Sequence, residues 1–231
     1  MADQVFADIK EMILTGRIPP GQRITLRRLA EVVGTSPMPV RDAVSRLIAE
    51  NALEMLPNRS IQVIFPSVER FQELVTIRSN VEGLAVEVAA QRRTAKEMSS
   101  IRRYAEQFEK YAQGAKPDPR EAMLANRKLH FSIYSAARMP LLVRIIEGLW
   151  LQVGPVYWNA VTREIERNAE AKRSGTGEAG GNQMLIETRS AHFDMVDGIE
   201  ERNPEKARNA LRQDIERAAR LIVEYGGLNS Q

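Results

Sequence analysis

The chain contains two histidines, His130 and His192, and no cysteine. Asn126 precedes His130 by four residues, so a helix would place the amide and the imidazole on one face. Imidazole nitrogens and side-chain oxygens are ligands that divalent metals accept. The alternative is that each histidine is a hydrogen-bonded core residue, which is the commoner situation for a single histidine in a helix. The lack of cysteine excludes a thiolate zinc site, a disulfide framework and a cysteine nucleophile.

A second group that could do chemistry is the pair Arg78 and Glu82, which stand four residues apart. On a helix the two side chains would form a salt bridge worth roughly 0.2–0.5 kcal/mol. The guanidinium could instead clamp the carboxylate of a ligand through two parallel hydrogen bonds. Three aromatic residues, Trp150, Tyr157 and Trp158, share one predicted helix, and their spacing favours packing in a core or a dimer over stacking on a ligand.

The composition is that of an ordinary soluble globular protein, with 43% hydrophobic and 27% charged residues among 231. No run of about 18 apolar residues occurs and the N-terminus is unlike a signal peptide, so we expect a cytoplasmic protein that does not contact a membrane. The net charge is +3, and the first 65 residues carry eight Lys or Arg against seven Asp or Glu. This weak charge disfavours nonspecific nucleic-acid binding, and any argument for DNA recognition depends on where the cations lie.

Residues 24–53 have the pattern of two short amphipathic helices joined by a tight turn. Thr25 and Ser36 are the predicted N-caps, and Gly34 supplies the positive φ that the turn needs. The pattern predicts a helix-turn-helix, whose second helix would lie in the major groove of DNA.

A hairpin is predicted directly after these helices. Two β-prone runs, 53–56 and 61–65, flank the polar segment 57–60. A helix-turn-helix followed by a hairpin is a winged helix, and Arg59 at the tip could contact a phosphate or the minor groove.

This N-terminal part resembles the DNA-binding domain of the GntR family of bacterial transcription regulators. The successive motifs I-x-x-G, P-P-G, L-A, G-x-S, P-V-R-D-A-V-x-R-L and P-N-R carry the similarity. Pro37 stands where family members usually have an Arg that reads a guanine, so we expect an operator that departs from the usual half-site. Asn51 and Ser60 stand where glycine is usual. The resemblance implies DNA contacts from Arg27, Ser36, Met38, Arg41, Arg46 and Arg59. For the arginines, a solvated helix face is the alternative interpretation.

From residue 66 onward the apolar spacing predicts helices only. We expect six of them in an antiparallel bundle, with caps at Ser67, Thr94 and Asn203. One helix should run from 140 to about 168, and a flexible loop should cover 172–182 because glycine is frequent there.

This second half resembles the FCD domain of the FadR subfamily of GntR regulators. The motifs R-x-x-x-E, N-x-x-x-H-F-x-I-Y, H-F-x-M-V-D-G-I and N-P-E-K-A-R-N-A-L-R-Q-D-I carry the resemblance. Six helices rather than seven are typical of its VanR-like branch. The predicted fold is therefore mainly α, with a winged helix-turn-helix over 1–65 and a six-helix FCD domain over 66–231.

Many FCD domains hold a divalent metal through an Asp-x-x-x-His pair and two further histidines. The matching positions here are Asn126, His130, His192 and Asp214, so Asn replaces Asp and Asp replaces the last His. Two imidazoles and two oxygens remain suited to zinc, nickel or manganese. The same four residues, together with Arg78, are expected to line a pocket for a small carboxylate effector.

The resemblance implies a DNA-binding transcription regulator, and a metabolite-responsive repressor is the commoner behaviour of such proteins. Two chains would pair through their helical domains and bind a palindromic operator in double-stranded DNA. The competing class is a metal-dependent enzyme built on a helical bundle. The sequence offers no nucleophile motif and no acid–base dyad at a recognisable spacing, so we predict that the protein is not an enzyme.

Overall fold

The computed structural model describes residues 2–113, 118–174, 183–225 and 227–228, and the side chains within these ranges apart from those of 172 and 183–190. The first part is the winged-helix domain. It contains α1 (Ala2–Leu14), β1 (Arg23–Ile24), α2 (Leu26–Val33), α3 (Pro37–Ala49), β2 (Leu53–Met55) and β3 (Ile61–Val63). The second part is the helical bundle. It contains α4 (Val68–Arg92), α5 (Ala95–Gln113), α6 (Pro119–Ala136), α7 (Pro140–Ser174), α8 (Gln183–Glu200) and α9 (Pro204–Tyr225). The predicted fold class is confirmed.

The two helices of the helix-turn-helix start and stop largely where the sequence predicts. The Thr25 side chain accepts a hydrogen bond from the Arg28 N–H at 3.2 Å, and Gly34 ends α2 with φ of 74°. Ser36 occupies the N-cap position of α3, but its side chain makes no capping hydrogen bond, so this part of the prediction is wrong. Pro37 in the first turn takes over part of that role, because its ring presets φ for a helix and it has no N–H to satisfy.

The wing is a three-stranded antiparallel sheet in the order β1-β3-β2, and the sequence predicted only β2 and β3. β1 has two residues, and it forms because β3 offers it a free edge rather than because of its own pattern. At the wing tip the side-chain oxygen Oδ1 of Asn58 accepts from the Ser60 N–H at 3.0 Å, and Arg59 takes φ of 62°. Asn51 takes φ of 55°, which explains why glycine suits this position in related sequences.

The predicted caps of the bundle are confirmed in the structure. Ser67 accepts from Arg70 N–H, Thr94 forms a reciprocal capping box with Glu97, and Asn203 accepts from Lys206 N–H. The long helix α7 continues to Ser174, beyond the predicted end near 168, so 172–174 are helical and not part of a loop. The rest of the predicted loop, 175–182, lies outside the described residues.

The bundle is organised around α9, which packs against both α4 and α8, while α5 packs against α6 and α8. The winged-helix domain is attached to the bundle through α1, which lies on α7. Leu151 of α7 is fully buried in the core of the winged-helix domain. Among the described helices, none is long and apolar enough to cross a membrane.

Helices α8 and α9 approach each other closely at Gly198. A Cβ atom at this position would lie 2.6 Å from the Ala207 backbone nitrogen and 2.8 Å from its Cα. Gly148 on α7 is also inside a helix, but an added Cβ there would meet nothing within 4 Å.

We therefore expect Gly198→Ala to lower the free energy of unfolding by about 1–3 kcal/mol, because backbone atoms must move apart. Gly148→Ala should raise it by about 0.5–1 kcal/mol, because alanine is the better helix former. Urea denaturation of both variants measures the difference. Equal effects of the two substitutions would contradict the close packing of α8 on α9.

Candidate metal centre and DNA-binding surface

Three side chains from three helices converge inside the bundle: His130 from α6, His192 from α8 and Asp214 from α9. All three are buried, with exposed fractions of 1%, 1% and 6%. The two histidine Nε2 atoms lie 3.3 Å apart. His130 Nε2 is 3.3 Å from Asp214 Oδ2, and His192 Nε2 is 3.3 Å from Asp214 Oδ1. Within the described part of the chain, these residues form the one group of three His, Cys, Asp or Glu side chains spaced to hold a metal ion.

The spacing of the two imidazole nitrogens fits a tetrahedral zinc site. Ligand atoms about 2.0–2.1 Å from a tetrahedral ion lie about 3.3–3.4 Å from one another. The two Nε2 atoms lie 3.3 Å apart, and each is 3.3 Å from a different oxygen of Asp214, Oδ2 for His130 and Oδ1 for His192. The residues present therefore fit a divalent ion.

A hydrogen-bond chain fixes which nitrogen of His130 carries a proton. The Tyr134 hydroxyl donates to Glu82 Oε2 at 2.5 Å, and the same hydroxyl oxygen lies 3.0 Å from His130 Nδ1. The phenol uses its only hydrogen in the bond to Glu82. It must therefore accept a hydrogen bond from His130, and His130 Nδ1 carries the N–H. In a neutral imidazole, Nε2 then presents a lone pair to His192 and Asp214.

Arg78 anchors the other end of this chain. Its Nε and Nη2 atoms donate to the two Glu82 oxygens at 2.5 and 3.2 Å, and Glu82 is 0% exposed. Burial opposes the charge on Arg78, but the charge of Glu82, the hydrogen bond to it and the charges of Tyr134 and Asp214 outweigh burial and raise the pKa of the guanidinium. The salt-bridge alternative for Arg78 is thus what the structure contains.

The protonation of the remaining ligands follows from burial and charge. Burial lowers the pKa of His192 to about 4, opposed by Asp214 and reinforced by His130. Burial raises the pKa of Asp214, but His192, His130 and Arg78 together more than offset this, and the pKa is lowered overall. At neutral pH His192 is uncharged and Asp214 is a carboxylate, which are the forms that bind metals.

Four of the five predicted effector residues line one cavity of about 50 Å³: Arg78, Asn126, His130 and Asp214. His192 adjoins it through its contacts with His130 and Asp214. Asn126 lies on the cavity wall one turn before His130. Trp150 also lines this cavity, with its ring centroid 5.4 Å from that of His130.

Sequence reasoning missed the role of Tyr134, which orients His130. The signal was available, because Tyr134 follows His130 by four residues in the same way that Glu82 follows Arg78. What the spacing does not reveal is that the two pairs meet, since they lie on different helices, α4 and α6.

The surface predicted to contact DNA is exposed at most of its positions. On α3 the Met38 side chain is 66% exposed, and Ser36 and Arg41 are also exposed. Arg59 is exposed at the wing tip. Arg27 at the start of α2 is exposed and pairs with Glu31 at 3.3 Å.

Arg46 is placed differently. Its guanidinium donates to Asp3 at 2.8 Å and lies 3.8 Å from the centroid of the Phe6 ring. It therefore fastens α3 to α1, and this contact must be released or shared before Arg46 can contact DNA.

Comparisons with known proteins agree with this architecture. Residues 1–63 match the family model described as bacterial regulatory proteins, gntR family, and residues 73–217 match the FCD domain. The HTH-type transcriptional regulator McbR of Escherichia coli is 32% identical over 152 residues, which is 66% of this chain and 68% of that protein. A probable D-xylose utilization operon transcriptional repressor of Paenarthrobacter nicotinovorans is 28% identical over 93% of this chain and 85% of its own length.

Solved structures show the same fold. The E. coli McbR/YncC structure superposes with a TM-score of 0.80 at 24% identity, covering 96% of this chain and 97% of that one. A GntR regulator from Rhodococcus sp. RHA1 gives 0.71 at 18% identity, covering 96% and 97%.

The matched domains and relatives are transcription regulators and not enzymes, which confirms the prediction on enzyme activity. The winged helix-turn-helix at the N-terminus and the helical domain behind it are each matched over most of their length. The chain belongs to the GntR family of bacterial regulatory proteins, as a member with an FCD domain.

Proposed function

We propose that this regulator is a metabolite-responsive repressor in the cytoplasm. Residues 1–65 bind a palindromic operator as a homodimer, and residues 66–231 pair the two chains and bind a small carboxylate effector. A divalent metal at His130, His192 and Asp214, with Asn126 as a further oxygen ligand, supports the effector site. The similarity to a protein described as a probable repressor of an operon favours repression over activation.

The observation that carries the metal proposal is the meeting of two imidazoles and a carboxylate inside the bundle. His130 Nε2 has a lone pair when the ring is neutral, because Nδ1 donates to Tyr134. Asp214 Oδ2, another acceptor, lies 3.3 Å away. Asp214 Oδ1 and His192 Nδ1 are buried and have no hydrogen-bond partner in the described part of the chain. Two acceptors at this separation repel each other, and a divalent metal ion between them would remove that repulsion.

A bound zinc ion would act as a Lewis acid that accepts a carboxylate oxygen of the effector. The protein's own part is to hold the three ligand atoms in place. Tyr134 sets the ring orientation of His130, Glu82 accepts the hydrogen bond that the Tyr134 hydroxyl donates, and Arg78 balances the charge of Glu82.

The role proposed for Arg78 follows from the same contacts. Both Glu82 oxygens already accept hydrogen bonds from its guanidinium. Arg78 therefore contributes positive charge to the cavity wall and does not form a two-hydrogen-bond contact with the effector carboxylate. Its charge still favours an anionic effector, because Arg78 lines the cavity beside Asn126 and Asp214.

For DNA binding we assign the main base contacts to Arg41 and Met38 at the exposed N-terminal half of α3. Arg27, Ser36 and Arg59 are assigned to the DNA backbone and groove edges. Pro37 has no donor, so base recognition depends more on Arg41 than in relatives with an arginine at this position.

The metal proposal predicts about one zinc ion per chain when the protein is purified without chelator or a His-tag, measured by elemental analysis. Adding zinc to chelator-treated protein at about 100 times its Kd should raise the free energy of unfolding by roughly 3 kcal/mol. Asp214→Asn should abolish both effects, because it removes the anionic ligand while keeping the shape. Asp194→Asn, at an exposed position on the same bundle, is the matched control and should keep them. Protein without stoichiometric metal and without a response to zinc would overturn the proposal.

The DNA proposal predicts that Arg41→Ala binds the DNA flanking its own gene about 10- to 100-fold more weakly, since a bidentate contact to a base is lost. A gel-shift titration at several salt concentrations measures this. Arg144→Ala removes an equally exposed arginine from α7 and should bind as the unaltered protein does. If Arg41→Ala has unchanged affinity, α3 is not the recognition helix.

A further inference from the structure

We propose that a cleft between the winged-helix domain and the bundle binds a small aromatic carboxylate, at a site separate from the candidate metal centre. The interdomain cleft lies between α1 on one side and α6 and α7 on the other, and its volume is about 360 Å³. That volume accommodates a molecule with a single aromatic ring. None of His130, His192 and Asp214 lines it.

The walls of the interdomain cleft are suited to a flat apolar group. Leu14 of α1 faces Phe131 of α6 and Trp150 of α7 across it. Phe131 and Trp150 pack edge to face with their ring centroids 5.3 Å apart. A smaller cavity of about 30 Å³ shares Leu14 and Trp150 with the cleft and is also lined by Trp158.

The charges around the interdomain cleft favour an anion. Lys10 pairs with Glu147 at 2.9 Å, and Arg127 pairs with Glu11 at 2.7 Å, so both ion pairs connect α1 to the bundle. Lys128 is exposed at the same cleft and forms no ion pair with any residue that the structure describes. Three cations and two anions leave a net charge of +1 on the cleft.

Two lining residues carry hydrogen-bond donors that lack an acceptor. Arg127 Nη1 and Trp150 Nε1 are buried, and neither finds a partner among the described residues. Buried polar groups in folded proteins almost always have a partner. A carboxylate offers two acceptor oxygens and a negative charge, so it matches the charge of the cleft and can pair with Lys128. It reaches the two buried donors once the side chains of Arg127 and Trp150 shift to expose them.

The position of the interdomain cleft gives the proposed ligand a defined effect. Its walls come from both domains, so a bound carboxylate stabilises this placement of the winged-helix domain over any other. Trp150 also lines the cavity of the metal centre, so the two sites share one side chain.

Benzoate is the probe, and tryptophan fluorescence is the readout, because the two tryptophans of the chain both line the smaller cavity beside the cleft. We expect a saturable change with benzoate and none with benzamide, which has the same shape without the charge. The response should persist after a chelator has removed metal. Arg127→Gln should bind benzoate about tenfold more weakly, since it removes a charge-assisted hydrogen bond.

Lys128→Gln at an exposed position leaves the fold intact and should also weaken benzoate binding, whereas Arg144→Gln elsewhere on the bundle should not. The proposal is overturned if there is no saturable response, if benzamide gives the same response, or if both Arg127→Gln and Lys128→Gln bind benzoate as tightly as the unaltered chain. A response that appears only after zinc is added also overturns it, because the probe then binds at the metal centre.

Discussion

The hydrogen bond from Tyr134 to Glu82 determines the chemistry of the bundle interior. Glu82 is fully buried, and a buried carboxylate is tolerated only when it is paired and hydrogen-bonded. Arg78 supplies the charge and Tyr134 supplies the second donor. Because Tyr134 uses its only hydroxyl hydrogen in the bond to Glu82, His130 must donate through Nδ1, and its Nε2 faces His192 and Asp214. Removing Glu82 would change the tautomer of His130 as well as the charge balance.

The substitutions at the centre are consistent with this constraint. The resemblance to metal-binding FCD domains implies Asp and His where this chain has Asn126 and Asp214. This chain still has one carboxylate among the four positions, but it is Asp214 on α9 and not a residue of α6. The Asp214 oxygens lie 3.3 Å from the Nε2 atoms of both imidazoles. Tyr134 and Glu82 orient His130 through its Nδ1 atom and do not contact a metal themselves. They can therefore support the ligands that the resemblance implies as well as the ligands present in this chain.

Much of this could be predicted from the sequence. Helical periodicity and capping residues such as Thr25, Ser67 and Asn203 predicted the helices, because these signals are local. β1 was missed because its two residues are held by β3 alone. The ion pair of Arg46 with Asp3 and the hydrogen bond of Tyr134 to Glu82 were not predicted, because each joins residues that are far apart along the chain. Leu151 likewise gives no local sign that it packs in the other domain.

The cavity of the candidate metal centre and the interdomain cleft share Trp150 of α7, the helix on which α1 lies. A ligand at either site would then act on DNA binding through the contact between α7 of the bundle and α1 of the winged-helix domain. The Tyr134–Glu82 hydrogen bond sets the tautomer of His130, and nitrogen-15 NMR of the two histidines measures that tautomer. We expect a proton on His130 Nδ1 in metal-free and zinc-loaded protein, with Nε2 unprotonated once zinc is bound. A His130 with an unprotonated Nδ1 and a proton on Nε2 would contradict it.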